Sequence, residues 1–265
     1  MSLENHEKQS TNHAVLNLEN ASISFGGLKA VCDFNLHLKP QELCGLIGPN
    51  GAGKTTVFNL ITGVYGLDSG DVKLSGESLK GLPPYEITKR GIARTFQNIR
   101  LFGELNVLNN VLISFHMRVS YSYPSIVLRS RRFYSTEQEY IERATVLLSL
   151  FGLEDRLDDR AGSLCYGDQR RLEIARALAT EPKVLLLDEP GAGLNPQEKD
   201  ELMATISNIR NKYKVTILLI EHDMKVVMGI SERIVVLDHG ETIAEGTPRE
   251  IQNNARVIEA YLGAA

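Results

Sequence analysis

A chain of 265 residues with 43% hydrophobic content is long enough to bury a full core, and its charge is nearly balanced, 29 basic against 33 acidic residues. That balance excludes a global field able to gather nucleic acid or anionic lipid without local help. Three cysteines, Cys32, Cys44 and Cys165, stand far apart with no CxxC spacing, which argues against a disulfide framework and a zinc site and suits reduced thiols.

Residues 1–13 are polar, without an apolar stretch or small-residue cleavage site, and read as a tail rather than a signal peptide. From Val15 to Leu38 apolar and polar residues alternate around a Gly26-Gly27 turn signal, which predicts antiparallel strands in a smaller β-layer. Leu43 to Ile47, Val184 to Leu187, Val215 to Ile220 and Ile234 to Leu237 are apolar on both faces, as in a parallel sheet covered on both sides. Helical patterns fall between them at Lys54 to Thr62, Asp168 to Thr180 and Gln197 to Asn211, so the core is α/β with a mainly parallel sheet.

Asn106 to Leu153 becomes helical, with Ser135 and Gln138 as a capping box ahead of Tyr140, Ile141, Ala144, Leu147 and Leu148. Tyr121 to Tyr134 mixes aromatics with Arg129, Arg131 and Arg132 and reads as a solvated loop before a lipid-facing or protein-facing one. No repeat or low-complexity linker divides the chain. Residues 14–265 are therefore expected to form a single domain, with a helical subdomain over about 98–165. No apolar run approaches the roughly 20 residues needed to cross a bilayer.

Gly48-Pro49-Asn50-Gly51-Ala52-Gly53-Lys54-Thr55 fits GxxxxGK[ST] between a predicted strand and a predicted helix, the context of a phosphate-binding P-loop. Glycines let successive N–H groups turn toward phosphate oxygens, and the following helix adds its positive end. Lys54 is expected at the β- and γ-phosphates, Thr55 on Mg²⁺, and Thr56 beside it. Val184 to Leu187 runs into Asp188-Glu189 at the sheet's carboxyl edge, where Asp188 suits a Mg²⁺ role and Glu189 could orient or deprotonate the attacking water. His222 emerges at the end of another such strand and could hydrogen-bond a γ-phosphate or that water. Gln97, after the Ile92 to Phe96 strand, offers an amide oxygen to Mg²⁺ or water. Taken singly, a strand-end carboxylate, a lone histidine and a surface glutamine are ordinary structural features.

Leu164-Cys165-Tyr166-Gly167-Asp168-Gln169 then precedes the helical run Arg170 to Ala179. With the P-loop, Gln97, Asp188-Glu189 and His222 in this order, the stretch resembles the signature of the ATP-binding-cassette (ABC) ATPase family, over roughly Val15 to Leu262. The resemblance implies a P-loop NTPase core of the RecA-like kind with an N-terminal antiparallel β-subdomain and a helical subdomain. It implies two cassettes stacked head to tail, with ATP and Mg²⁺ between the P-loop of one and the signature residues Cys165 and Gly167 of the other. It also puts Phe25 on adenine, Ala192 to Asn195 in the loop joining the two sites, and the segment after Gln97 on the surface that grips a membrane subunit.

Gly91 to Phe102, Gln169 to Leu178, Ile220 to Met224 and Val257 to Gly263 further resemble the paired ATPases of branched-chain or hydrophobic amino-acid importers. Urea and amide importers share much of this. The implied partners are integral membrane permease subunits, a second, related or identical ATPase and, indirectly, an external solute-binding protein, with no nucleic acid. The implied location is peripheral, on the cytoplasmic face of the inner membrane. A soluble ABC ATPase of DNA repair or translation would carry a coiled-coil insert or a second cassette, and a P-loop kinase gives no use for the signature or His222.

Two departures fall on contacts between cassettes. Cys165, Tyr166, Gly167 and Asp168 stand where the family has Ser-Gly-Gly-Gln, and Asn195 stands where Asp is usual. A thiol donates more weakly than a hydroxyl, and a carboxylate at 168 would repel phosphate if it faced it.

Overall fold

The computed structural model describes residues 14–115, 117 and 131–262. The expected tail, 1–13, and most of the Tyr121 to Tyr134 segment lie outside the described residues. The strands in chain order are β1 (Leu16–Phe25), β2 (Leu28–Leu38), β3 (Leu43–Ile47), β4 (Ser69–Leu74), β5 (Glu77–Ser78), β6 (Ile92–Arg94), β7 (Val184–Asp188), β8 (Thr216–Ile220), β9 (Arg233–Asp238) and β10 (Glu241–Gly246). The helices are α1 (Lys54–Ile61), α2 (Pro84–Arg90), α3 (Val107–Phe115), α4 (Arg131–Ser149), α5 (Tyr166–Leu178), α6 (Pro196–Tyr213), α7 (Met224–Ile230), α8 (Pro248–Gln252) and α9 (Ala255–Leu262).

β1 and β2 form the expected hairpin, Phe25 opposite Leu28 and Leu16 opposite Leu38. Its tip is Gly26-Gly27 at φ of 53° and 88°, and a two-residue turn of this hand needs positive φ at both central positions. β4 and β5 complete an antiparallel sheet in the order β2-β1-β4-β5. The second sheet runs β10-β9-β3-β8-β7-β6, parallel except for β10, which returns antiparallel on β9.

Every residue of β3, β7 and β8 is buried, and their successive side chains feed two different cores. Leu43, Leu185, Leu187, Ile217 and Leu219 pack on one side with residues of α3 to α6. Cys44, Leu46, Leu186, Leu218 and Ile220 pack on the other with α1 and the antiparallel sheet. This is the period-2 alternation of a strand covered twice. Burial also pushes the Cys44 thiol up to about 12, which keeps it protonated and inert.

One local expectation fails. α4 covers Arg131–Ser149, so Ser135 and Gln138 stand inside the helix and not at its N-terminus; Gln138 donates to Glu142 Oε1, one turn on, at 3.2 Å. The capping-box pattern occurs in helix interiors too, and the helical turn upstream of Ser135 is what excludes an N-cap there. The Ile92 to Phe96 strand is also shorter than expected, ending at Arg94, although the Thr95 amide still donates to Leu186 O at 3.0 Å.

Because β3, β6, β7 and β8 are parallel, their carboxyl ends open on one edge of the sheet. Gly48, Gln97, Glu189 and His222 follow those four ends, which is how residues far apart in sequence reach one place.

Candidate functional site

The chain leaves β3 at Ile47 and enters α1 at Lys54 through a glycine-rich turn. Gly53 is the N-cap at φ 105°, no side chain caps the helix, and its first turn carries no acid. The first-turn amides and the positive end of the helix are thus left for an external acceptor. Two of the glycines are sterically required: an added Cβ would lie 2.0 Å from Leu237 O at Gly48 and 2.6 Å from Ala30 O at Gly53. Asn50, Gly51, Ala52, Gly53, Lys54, Thr55 and Thr56 line a cleft together with Gln97 and Glu189. Lys54 Nζ donates to Gly48 O and Pro49 O at 2.7 and 2.8 Å. Burial lowers its pKa, against the opposing pull of Glu189 and Asp188.

Asp188 is buried and salt-bridged, its Oδ2 accepting from Arg94 Nη2 at 2.8 Å, and Arg94 Nη1 donates to Asn59 Oδ1 on α1 at 2.7 Å. Glu189 follows in the left-handed region at φ 47°, an uncommon conformation for a residue with a side chain, held by its amide's bond to Ile220 O at 2.9 Å. Its carboxylate takes partners other than those of Asp188. Glu189 Oε2 accepts from Gln97 Nε2 at 3.1 Å and lies 3.7 Å from His222 Nδ1. Three residues predicted separately therefore meet on one oxygen. Gln97 turns its amide nitrogen to Glu189, so the oxygen that a metal would take is the other end of the same group.

Cys165 is the exposed N-cap of α5, and its side chain makes no capping bond. Neither Cys165 nor Gly167 lines the cleft of its own P-loop. Asp168 lies at the edge of ion-pairing range of Arg156, 3.9 Å, and Arg171, 4.0 Å, so cations of the same chain offset the charge expected to repel phosphate. Asn195 caps α6: its Oδ1 accepts from the Glu198 amide and its own amide donates to Glu198 Oε2, both at 2.9 Å. Asn serves this box as well as Asp. Phe25, at the end of β1, is 44% exposed and meets Tyr65 edge-on at 5.1 Å, next to the Leu28 to Ala30 stretch that borders the cleft.

The structure adds residues that sequence reasoning missed. His239 joins the cleft lining from the β9–β10 turn. Arg94 holds Asp188 from the neighbouring strand; its only sequence signal is a cation in an otherwise apolar strand. Glu221, beside His222, is buried and accepts from the Gly191 amide at 2.6 Å, fastening the linking loop to the β8 end. Burial raises the Glu221 pKa, against that amide. Arg170 and Glu173 are a buried i,i+3 pair in α5.

Among the described residues no group of three His, Cys, Asp or Glu could hold a metal alone. The Thr55 hydroxyl and the Asp188 carboxylate supply the hard oxygen donors Mg²⁺ takes, and the P-loop amides suit the phosphates that would complete its shell. Among the described residues, too, no helix is long and apolar enough to cross a membrane.

Comparison with known proteins agrees with this geometry. The ABC transporter family model matches residues 31–192, and that of the branched-chain amino acid ATP-binding cassette transporter matches residues 241–265. The chain is 49% identical over 251 residues to the high-affinity branched-chain amino acid transport ATP-binding protein LivG of Escherichia coli K12, covering 95% of this chain and 98% of that protein. It is 46% identical to BraF of Pseudomonas aeruginosa, with the same coverage. Among solved structures, the ADP conformation of the cassette MJ1267 matches with a TM-score of 0.81 at 31% identity, covering 94% of this chain and 99% of that one. The dimeric cassette MJ0796 matches with a TM-score of 0.74 at 27% identity, covering 88% and 99%. With its P-loop, acidic strand end and signature helix on one fold, the chain belongs to the ABC transporter family as an ABC-type ATPase subunit, on the branch of the branched-chain amino acid transport ATP-binding proteins.

Proposed function

We propose that this chain hydrolyses Mg²⁺-bound ATP to drive import of branched-chain amino acids through a membrane permease, attached peripherally at the cytoplasmic face of the inner membrane. The observation that carries the site reading is the meeting of Gln97 and His222 on Glu189 Oε2, with Gln97 and Glu189 in the same cleft lining as Lys54 and the P-loop. Glu189 accepts the proton of the attacking water, with Gln97 and His222 fixing its orientation. Lys54 exchanges its two loop carbonyls for β- and γ-phosphate oxygens when nucleotide enters. Thr55 and Asp188, with the amide oxygen of Gln97 or a water on it, would hold the Mg²⁺, which when bound would supply positive charge against the phosphates.

The signature residues Cys165 and Gly167 do not line this chain's own cleft, which supports completion of the site by a second cassette, and the similar cassette MJ0796 has a dimeric structure. Phe25 is assigned to adenine because it lies at the rim beside Leu28 to Ala30. A groove between Val64, Phe96, Phe102 and Met117 supports permease docking, since Val64, Phe102 and Met117 leave apolar side chains exposed beside the Gln97 loop. The names of the relatives support branched-chain amino acids over urea as the solute.

The site is tested by Glu189→Gln. The variant should keep ATP affinity and lose about a thousandfold in turnover, accumulating as an ATP-bound dimer visible by sedimentation. Rapid turnover by it would refute the role of Glu189. Uptake of leucine, isoleucine, valine and urea by cells with and without the chain tests the solute; loss of urea uptake alone would overturn the amino-acid assignment.

A further inference from the structure

α5 carries a buried ion pair, and both of its members are bonded to the backbone that bears Gln97. Arg170 is 0% exposed and Glu173 2%, with Arg170 Nη1 3.0 Å from Glu173 Oε2. Arg170 Nη1 also donates to Phe96 O at 2.7 Å, and Nη2 donates to Gln97 O at 2.8 Å. Glu173 Oε1 accepts from the amides of Phe96, at 3.4 Å, and Arg100, at 3.2 Å. One helical turn thus holds two carbonyls with its cation and two amides with its anion, all on the loop from Phe96 to Arg100.

The same guanidinium reaches the signature. Arg170 Nη2 donates to the Tyr166 hydroxyl at 3.2 Å, and Tyr166 is an exposed residue in the first turn of α5. The Tyr166 ring lies against the linking loop, its Cε1 2.9 Å from where a Cβ at Gly193 would stand. From Tyr166, then, the contacts run through Arg170 to the backbone of Gln97, and from the Gln97 side chain to Glu189 Oε2 at 3.1 Å.

Burying two charges is costly, and an apolar pair of similar volume packs such a position at least as well for stability. A fork of donors and a carboxylate do what apolar side chains cannot: they fix the direction of a loop backbone at four points. We propose that Arg170 and Glu173 are positioning residues for ATP hydrolysis, which set the reach of Gln97 to Glu189 and tie it to Tyr166 in the signature. The inference rests on the proposed site, in which Glu189 handles the attacking water. Neither residue touches the nucleotide; both act through Gln97.

The experiment is steady-state ATP hydrolysis by the full-length chain, with thermal unfolding of each variant. Arg170→Met with Glu173→Leu, which keeps the volume apolar, should still fold, at a thermal midpoint lowered by the Phe96 and Gln97 carbonyls and the Phe96 and Arg100 amides that lose these partners, and should hold KM for ATP within about twofold while kcat falls about tenfold or more. Gln97→Ala should lose a similar factor, and adding it to the double variant should cost less than about twofold more, because both changes remove the same contact with Glu189. A folded double variant with wild-type kcat, or losses that multiply in full, would overturn the proposal.

Tyr166→Phe serves where the double variant does not fold, since it removes one hydroxyl from an exposed ring. It should lower kcat about threefold at unchanged KM, and an unchanged kcat overturns the link. Glu189→Gln separates the two claims. If it hydrolyses ATP at the wild-type rate the site reading falls; if it is inactive while the pair variants keep full kcat, only the positioning role falls.

Discussion

Glu189 shows how much one residue's geometry depends on its neighbours. It follows a strand end directly, in the left-handed region at φ 47°, and its carboxylate has other partners than that of the adjacent Asp188. Arg94 neutralises the first, and Gln97 receives the second. Glu221 is the third carboxylate of the edge, and its environment has a pH signature. Burial raises its pKa above the ordinary 4.5, so its contribution to stability is complete below that value and is lost as pH rises through the folded-state pKa. Glu221→Gln keeps an oxygen for the Gly191 amide and removes the titration. Thermal unfolding from pH 4.5 to 8 should therefore show the variant gaining on the wild type as pH rises, and a constant difference would refute the buried, proton-binding state.

At the scale of elements, what matters is how each helix end is completed. α1 is left uncapped by any side chain after the glycine-rich turn, whereas α6 is closed by the Asn195–Glu198 box. The box also fixes where the linking loop stops, because Asn195 is both the last loop residue and the N-cap. Asn195→Ala should cost about 1 kcal/mol in urea unfolding and Asn195→Asp only a few tenths. A loss as large with Asp as with Ala would show that the side-chain acceptor is not what holds this end. α5 differs again, since the acid of its first turn, Asp168, faces two arginines and its second turn carries the Arg170–Glu173 pair.

Across the whole molecule, one cation ties strands of both sheets. Arg233, on β9, donates from Nε to Glu42 Oε1 at 2.7 Å and from Nη2 to Glu42 Oε2 at 3.1 Å, and it also bonds His37 O on β2 and Glu245 on β10. Burial pushes the Glu42 carboxyl up, but the bonds from Arg233 and the Lys39 amide outweigh it, and the net pKa is lowered. A lowered pKa adds stability above the unfolded value of 4.5 that is lost as pH falls through the folded one. Arg233→Met leaves Glu42 buried without its partner and should destabilise the fold by about 3 kcal/mol at neutral pH, a loss that shrinks in acid as Glu42 protonates. A loss that stays constant from pH 7 to pH 3 would refute this account.

The features legible in the residues alone are local. The glycine spacing of the P-loop, the apolar strands running into Asp188-Glu189 and His222, the Gly26-Gly27 hairpin and the signature helix are short patterns whose physics acts over a few residues. Their order along the chain was enough to indicate the family. Which of these residues bond to one another is set by the folding of distant segments together. Arg94 reaches Asp188 across 94 positions, and Arg170 reaches Phe96 across 74. The Arg170–Glu173 pair has no reading in the sequence, and Ser135 looks there like a helix start. An upstream turn reverses the second, and burial makes the first a fixed pair, because a side chain's partner is set by what packs over it, and packing joins segments whose separation no local pattern records.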